Sequence, residues 1–180
     1  MTVLSVYQTT AHRGTILTSP IYGEGAEMWL GDGYYFWQDK EFAMAWGFDK
    51  KCQEEGNIGK KFDVYTSELK FASFETDFID TVFNKEDYEF FCGSIERFAR
   101  NYSQRYGRKP TLEQFNNFTK DQKIWGTVKA IRFQDLPAND KKDFLHVKGF
   151  PYKKRIQIVV YDKLVIHNFK FYLQRKCSDL

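Results

Sequence analysis

The period of the hydrophobic pattern changes twice along this chain, and no other feature limits its folds as much. Val3, Ser5 and Tyr7 alternate against Leu4, Val6 and Gln8, which is the period-two pattern of a strand. Tyr88, Phe91, Ile95, Phe98 and Tyr102 then recur at spacings of three and four, as in an amphipathic helix with one core-facing stripe. Strand-like runs return in the last third, over residues 126–133, 155–161 and 164–172. Strands at both ends, with helices in the first half and the middle of the chain, predict an α+β domain rather than a doubly wound parallel sheet.

Punctuation residues place the elements. Glycines and a proline make residues 14–33 loop-rich, and a short aromatic strand follows at 33–37. Asp39 then stands as N-cap of a helix carrying Phe42, Ala43, Ala45 and Trp46, which stops before Gly56. Residues 62–71 form a strand with an irregularity near Ser67. Asn84 caps the long helix and Gly107 stops it, while Thr111 and Gln114 have the spacing of a capping box opening the next helix. A short polar helix is expected over residues 139–145.

Composition bounds the class. With 180 residues and 42% hydrophobic side chains, one domain over 1–180 buries roughly two thirds of its unfolded surface, needing neither disulfide nor structural metal. Cys52, Cys92 and Cys177 are odd in number, far apart and without Cys-x-x-Cys spacing, so unpaired thiols in a reducing cytoplasm are expected. No apolar run approaches the roughly 20 residues that span a bilayer, and the start carries no basic-then-apolar leader, so a soluble protein without membrane contact is expected. The net charge of +3 marks no dense basic stripe. Lys141, Lys142, Lys148, Lys153, Lys154, Arg155, Lys170, Arg175 and Lys176 are read as solvated surface.

Familiar catalytic patterns are absent. His12, His146 and His167 lack the spacing of a zinc-binding helix, so no metal is expected. Cys92 falls beside the helical stripe as apolar filling, and no Gly-x-Ser-x-Gly elbow occurs. Gly23-Glu24-Gly25 lacks the third glycine of a dinucleotide fingerprint. What stands out is Gly31-Asp32-Gly33-Tyr34-Tyr35-Phe36-Trp37, where glycines let a backbone approach a ligand and aromatic faces offer stacking. Ala43 and Trp46 return towards the same region on the following helix. A core hairpin is the plainer reading of the same run.

Tyr7-Gln8-Thr9-Thr10, Gly14-Thr15-Ile16-Leu17, the 31–36 run and Ala43-Met44-Ala45-Trp46 resemble the first half of an ADP-ribosyltransferase-like domain. Arg155-Ile156-Gln157-Ile158-Val159-Val160-Tyr161-Asp162 is similar to the catalytic-glutamate strand of the poly(ADP-ribose) polymerase and diphtheria-toxin branch. The resemblance implies a split mixed β-sheet core that clasps NAD as co-substrate, breaks its nicotinamide–ribose bond and passes ADP-ribose to an acceptor. It places Tyr35 against nicotinamide, Trp46 on the opposite ring face and Ala43 at a small-residue position. Gln8, Thr9, Thr10, Arg13 and Gly33 join the NAD-binding set, with the Thr9 main chain holding the carboxamide.

Two departures stand out. Gln8 takes the place of a histidine, and its amide still offers a donor and an acceptor to a ribose hydroxyl. Gln157 takes the place of the glutamate and can hydrogen-bond but cannot act as a base. Strand alternation puts Gln157 on one face with Val159 and Tyr161, so a polar amide stands in an apolar strand. Left unpaired and buried it costs about 1 to 3 kcal/mol, so it either pairs internally or faces a cleft. Glu24, Glu27 and Asp143 are candidates for a replacement carboxylate, and His12 and Arg13 could contact diphosphate or acceptor.

The function expected is that of an NAD-dependent ADP-ribosyltransferase, an intracellular toxin or defence effector. Its acceptor would be a macromolecule, protein or nucleic acid, and family habit adds a neutralising antitoxin protein as partner. Two other classes remain open: an inactive module that binds NAD or ADP-ribose, and an unrelated α+β protein-interaction domain.

Overall fold

A computed structural model of the chain describes residues 2–25, 28–135 and 154–179. Their strands join in one seven-stranded sheet. In chain order the elements are β1 (Thr2–Ala11), β2 (Tyr34–Trp37), α1 (Lys40–Asp49), β3 (Lys61–Phe71), α2 (Phe74–Asp77), β4 (Phe78–Asp80), α3 (Lys85–Tyr106), α4 (Leu112–Asp121), β5 (Ala130–Gln134), β6 (Ile156–Val160) and β7 (Ile166–Lys176). The strand order is β4-β5-β6-β2-β1-β3-β7. The sheet is mixed, because β4 runs parallel to β5 while the other neighbours are antiparallel. The architecture is therefore α+β, with helices in the first half and middle of the chain.

The sheet has a seam. β1 pairs with β3 along its whole length, from Thr2 opposite Phe71 to Ala11 opposite Phe62, yet it meets β2 only where Tyr7 faces Trp37. Past Tyr7, β1 has no strand partner on that side among the described residues. Strand alternation then sorts the core. Tyr34 and Phe36 of β2 pack with Val6, Leu69, Phe71, Phe78, Ile158 and Val160. Trp37 packs with Phe42, Ala43, Phe62 and Val64 beneath α1, and Tyr35 packs with Ile79, Ile131, Phe133 and Val159.

Most punctuation acts as its chemistry dictates. Asn84 Oδ1 accepts from the Glu86 and Asp87 amides at 3.0 and 3.4 Å, satisfying donors that the first turn of α3 cannot pair internally. Gly107 ends α3 at φ 67°, the left-handed conformation that costs glycine least. The Thr111–Gln114 capping box forms in both directions, at 3.0 and 3.2 Å. One of the two register shifts in β3 falls between Thr66 and Glu68, at Ser67. Asp39 occupies the N-cap of α1 but makes no side-chain cap bond.

Several expectations change. Tyr88 is exposed, so the apolar stripe of α3 meets the core only from Phe91 onward, where Phe91 stacks on Trp125 at 5.5 Å. β5 starts at Ala130 rather than at residue 126, because residues 123–128 turn back on themselves through the Gly126 N–H to Lys123 O and Val128 N–H to Trp125 O bonds. β7 runs to Lys176, past residue 172, and the short elements α2 and β4 had no sequence signal. The helix expected over 139–145 lies outside the described residues.

The reading of three unpaired cysteines is corrected. Cys52 and Cys177 form a disulfide, with Cα atoms 5.7 Å apart, and Cys92 alone is free. The pairing of Lys61 with Lys176 carries the end of β7 beside the turn after α1, where the Cys177 N–H reaches Lys60 O at 2.9 Å. An odd count and a separation of 125 residues did not prevent a pair once the sheet closed. The argument from cysteine usage to a reducing compartment falls with it, since such bonds persist where conditions are oxidising. Among the described residues, no helix is long and apolar enough to cross a membrane.

Candidate functional site

A cavity of about 820 Å³ opens where β1 and β2 part. One wall is the loop after β1, contributing Arg13, Thr15, Leu17, Ile21, Gly23, Met28 and Trp29. A second comes from α1 and the turn after it, with Trp46, Lys50, Lys51 and Glu54. The floor is sheet: Gln8, Thr9, Thr10 and Asp63 on one side of the seam, Tyr35, Trp37, Arg155 and Gln157 on the other. Loops on a rigid sheet beside an interrupted pairing give a concave site without exposing unpaired core.

Of the ten residues read from the sequence as contacts of NAD or its acceptor, the cavity collects seven: Gln8, Thr9, Thr10, Arg13, Tyr35, Trp46 and Gln157. Ala43 and Gly33 lie outside its lining. Ala43 is fully buried, and its carbonyl accepts the Thr9 hydroxyl at 2.7 Å, which ties β1 to α1. Gly33 bridges to Gly23 through two main-chain bonds of 2.8 and 3.0 Å. A methyl group at Gly33 would stand 2.7 Å from Val159 Cγ2, so its lack of a side chain serves packing against β6. His12, the tenth, is not on the lining, although Ala11 and Arg13 beside it are.

Tyr35 and Trp46 are anchored in separate apolar clusters and reach the same cavity. The Tyr35 hydroxyl donates to Gly31 O at 2.7 Å and accepts from the Leu30 N–H at 3.0 Å, which fixes the ring against the Gly31 corner. Burial pushes its phenol up to about 12, partly opposed by the Leu30 bond and reinforced by the Asp32 charge. Trp46 sits 5.8 Å from Trp37, and Lys50 Nζ lies 6.0 Å over its ring. A ring held by such contacts loses little freedom when a flat ligand stacks on it.

The two glutamines differ. Gln8 Nε2 donates to Ile21 O at 2.9 Å and to Tyr35 O at 3.2 Å, while Oε1 accepts from the Ile21 N–H at 2.7 Å. Its amide staples the entrance loop to both sides of the seam; both N–H donors are spent there, while Oε1 keeps a second lone pair that can accept from a ribose hydroxyl. Gln157 is half-buried, lines the cavity and makes no side-chain hydrogen bond among the described residues. Its amide is available to a ligand or to water.

Apart from Arg13, the charged residues of the cavity were not among those singled out from the sequence. Arg155, read as solvated surface, is buried; its guanidinium bonds Asp135 at 2.7 Å and lies 5.2 Å over Trp37. Arg13 binds Glu54 and the Glu55 carbonyl, and Lys51 binds the other Glu54 oxygen at 2.7 Å. Burial raises the Glu54 carboxyl, but Lys51 and Arg13 together outweigh it and hold it below its ordinary value. The carboxylates present are therefore Glu54, Asp63 and Asp135; Glu24 is exposed and off the lining, and Glu27 and Asp143 lie outside the described residues. Asp63 had the signal that marked Gln157, a polar residue between Phe62 and Val64 in an apolar strand.

A second cavity, of about 390 Å³, lies between α4 and Tyr22, Gly25, Leu30, Gly31 and Asp32, and gathers none of the expected site residues. No group of histidine, cysteine and acidic side chains suited to a metal occurs among the described residues. In comparisons with known proteins, no family model matches the chain, and neither does any curated protein or solved structure.

Proposed function

We propose that the larger cavity binds NAD and that the protein cleaves the nicotinamide–ribose bond, transferring ADP-ribose to an acceptor. One observation carries the reading: Tyr35, Trp46 and Gln157, from three distant parts of the chain, line a single cavity of about 820 Å³. That size suits a dinucleotide, since ligand sites span roughly 300 to 1,000 Å³. Tyr35 and Trp46 offer aromatic faces to the pyridinium ring, and the Gln157 amide offers hydrogen bonds to the ribose. Lys50, exposed at the end of α1, adds positive charge on the side where a diphosphate would lie.

A second reading is favoured by a specific feature, the amide at position 157. Without a carboxylate there, the cavity could hold NAD or ADP-ribose without chemistry. Release of nicotinamide from NAD by purified protein separates the two. Steady release, lost in Tyr35→Ala, is the expected result; tight NAD binding with no release would make the protein a binder.

A further inference from the structure

Four described cations line the larger cavity, and they are held differently. Arg13 sets one Nη on the Glu55 carbonyl and the other on Glu54, Lys51 holds the second Glu54 oxygen, and Lys50 is exposed at the end of α1. Arg155 is the buried one. It is 9% exposed, and among the described residues its guanidinium has one hydrogen-bond partner, Asp135, reached through Nη2 at 2.7 Å. A guanidinium carries five N–H donors, so the Asp135 bond leaves most of them open.

The open donors are Nε and Nη1. Nε is shut off from water without a partner, a costly state for a buried charged group. Nη1 has no hydrogen-bond partner among the described residues, and it is not one of the shut-off atoms, which are Gln38 Oε1, Ser67 Oγ, Arg132 Nε and Arg155 Nε. It therefore meets open space, and Arg155 is part of the cavity lining. Arg132 offers a contrast. It too is buried, pairs with an aspartate, Asp80, at 2.6 Å and has an unpartnered Nε, but it lies 5.2 Å from both the Phe78 and Phe83 rings and lines neither cavity.

Arg155 immediately precedes β6, and the 2.8 Å bond from the Asp135 N–H to Arg155 O extends the β5–β6 pairing to it. Alternation then sets it on the same face as Gln157, roughly 7 Å away along the chain. That span is comparable to the one between a ribose ring and the phosphate of the same nucleotide. Asp135 and the Trp37 ring, 5.2 Å away, hold the fork in place, so little freedom is lost when an anion binds it.

We propose that Arg155 is an anion anchor of the cavity and takes a phosphate group of the bound substrate, with Asp135 as the positioning residue that holds its guanidinium. Open N–H groups on a planar fork match phosphate oxygens, and burial strengthens each contact by excluding water. The phosphate is either the dinucleotide's own, next to the ribose that Gln157 touches, or that of a second, phosphorylated substrate. The first source rests on the NAD reading; the anchor itself does not.

Nuclear magnetic resonance of arginine side chains tests the anchor on the parent protein. The Arg155 Nε–H signal, assigned from its backbone, should move saturably with inorganic phosphate at constant ionic strength and stay still with chloride. Arg155→Lys keeps a charge beside Asp135 but loses the fork, and should weaken phosphate binding by about tenfold or more. NAD and nicotinamide riboside, which lacks phosphate, separate the two sources. If the dinucleotide's phosphate sits on Arg155, Arg155→Lys weakens NAD by about tenfold and leaves the riboside within about twofold. If a second substrate supplies it, NAD affinity is unchanged and phosphate still moves the Arg155 signal in the NAD-loaded protein. An Arg155 signal indifferent to phosphate, or equal phosphate binding in parent and Arg155→Lys, would overturn the inference and leave the transferase reading standing. The first of these is read on the parent, so it holds even where the variant folds poorly. A phosphate-responsive signal in a protein that neither binds NAD nor releases nicotinamide would keep the anchor and remove the transferase reading.

Discussion

Trp37 of β2 stands opposite Gln157 of β6, and on its other side opposite Tyr7 of β1 at the single pair that joins the two halves of the sheet. The free amide thus lies one strand from the seam, and the opening of the sheet is also the opening of the cavity. Changes at these positions should alter ligand chemistry more than folding.

Gln157→Glu restores a carboxylate where the resembling strand carries one. Its expected effect is a rise in nicotinamide release of at least about tenfold, because negative charge then faces the developing oxocarbenium ion. Single-turnover release, compared with the parent at equal NAD saturation, checks this. An unchanged or lower rate would mean that position 157 does not face the reacting ribose.

Tyr35→Phe removes the hydroxyl that holds the Leu30 amide and the Gly31 carbonyl. The loss should be about 1 to 2 kcal/mol in denaturant unfolding, with weaker NAD binding as the corner loosens. Alkaline pH gives an independent check. The Tyr35 phenol is raised in the folded state, from 10.0 to about 12, and burial raises the Tyr161 phenol as well. The folded state therefore holds these protons more tightly than the unfolded state, and the Tyr35 contribution is complete below pH 10 and lost as pH climbs towards 12. Tyr35→Phe should flatten part of that decline.

Reduction of Cys52–Cys177, or Cys52→Ser, opens a loop spanning 125 residues and should lower stability by roughly 2 to 5 kcal/mol. Denaturant melts with and without reductant measure it. Because Cys52 sits between Lys51 and Glu54, NAD affinity should fall in parallel. A melt insensitive to reductant would show that the pair is not bonded in solution.

Arg155→Met breaks the buried pair with Asp135 and should cost about 3 to 5 kcal/mol, well above a surface substitution. Thermal or urea unfolding reads it directly. A change under about 0.5 kcal/mol would return Arg155 to the solvated surface that its sequence neighbourhood suggested.

Local chemistry was readable where it acts within a few residues. The Asn84 cap, the Gly107 stop and the Thr111–Gln114 box are complete in the sequence, and so is the alternation that set Gln157 apart. What required the third dimension was pairing across the sheet. Arg155 reads as one cation in a basic run until β5 brings Asp135 beside it, and Cys52 and Cys177 read as strangers until β7 docks on β3. Gly33 shows the opposite failure. Its glycine suggested approach by a ligand, while the atoms that approach it belong to Val159 and Val160. Asp63 could have been found by applying to β3 the reasoning used on β6.

The most direct measurement is a titration of the purified protein with NAD, followed by tryptophan fluorescence in the parent, in Tyr35→Ala and in Trp46→Phe. Three of the four tryptophans, Trp29, Trp37 and Trp46, line the cavity, so a stacked pyridinium should quench the parent signal saturably. Trp46→Phe should lose most of that quenching, and Tyr35→Ala should need far more NAD to reach it. No quenching and no thermal shift at millimolar NAD would contradict the account.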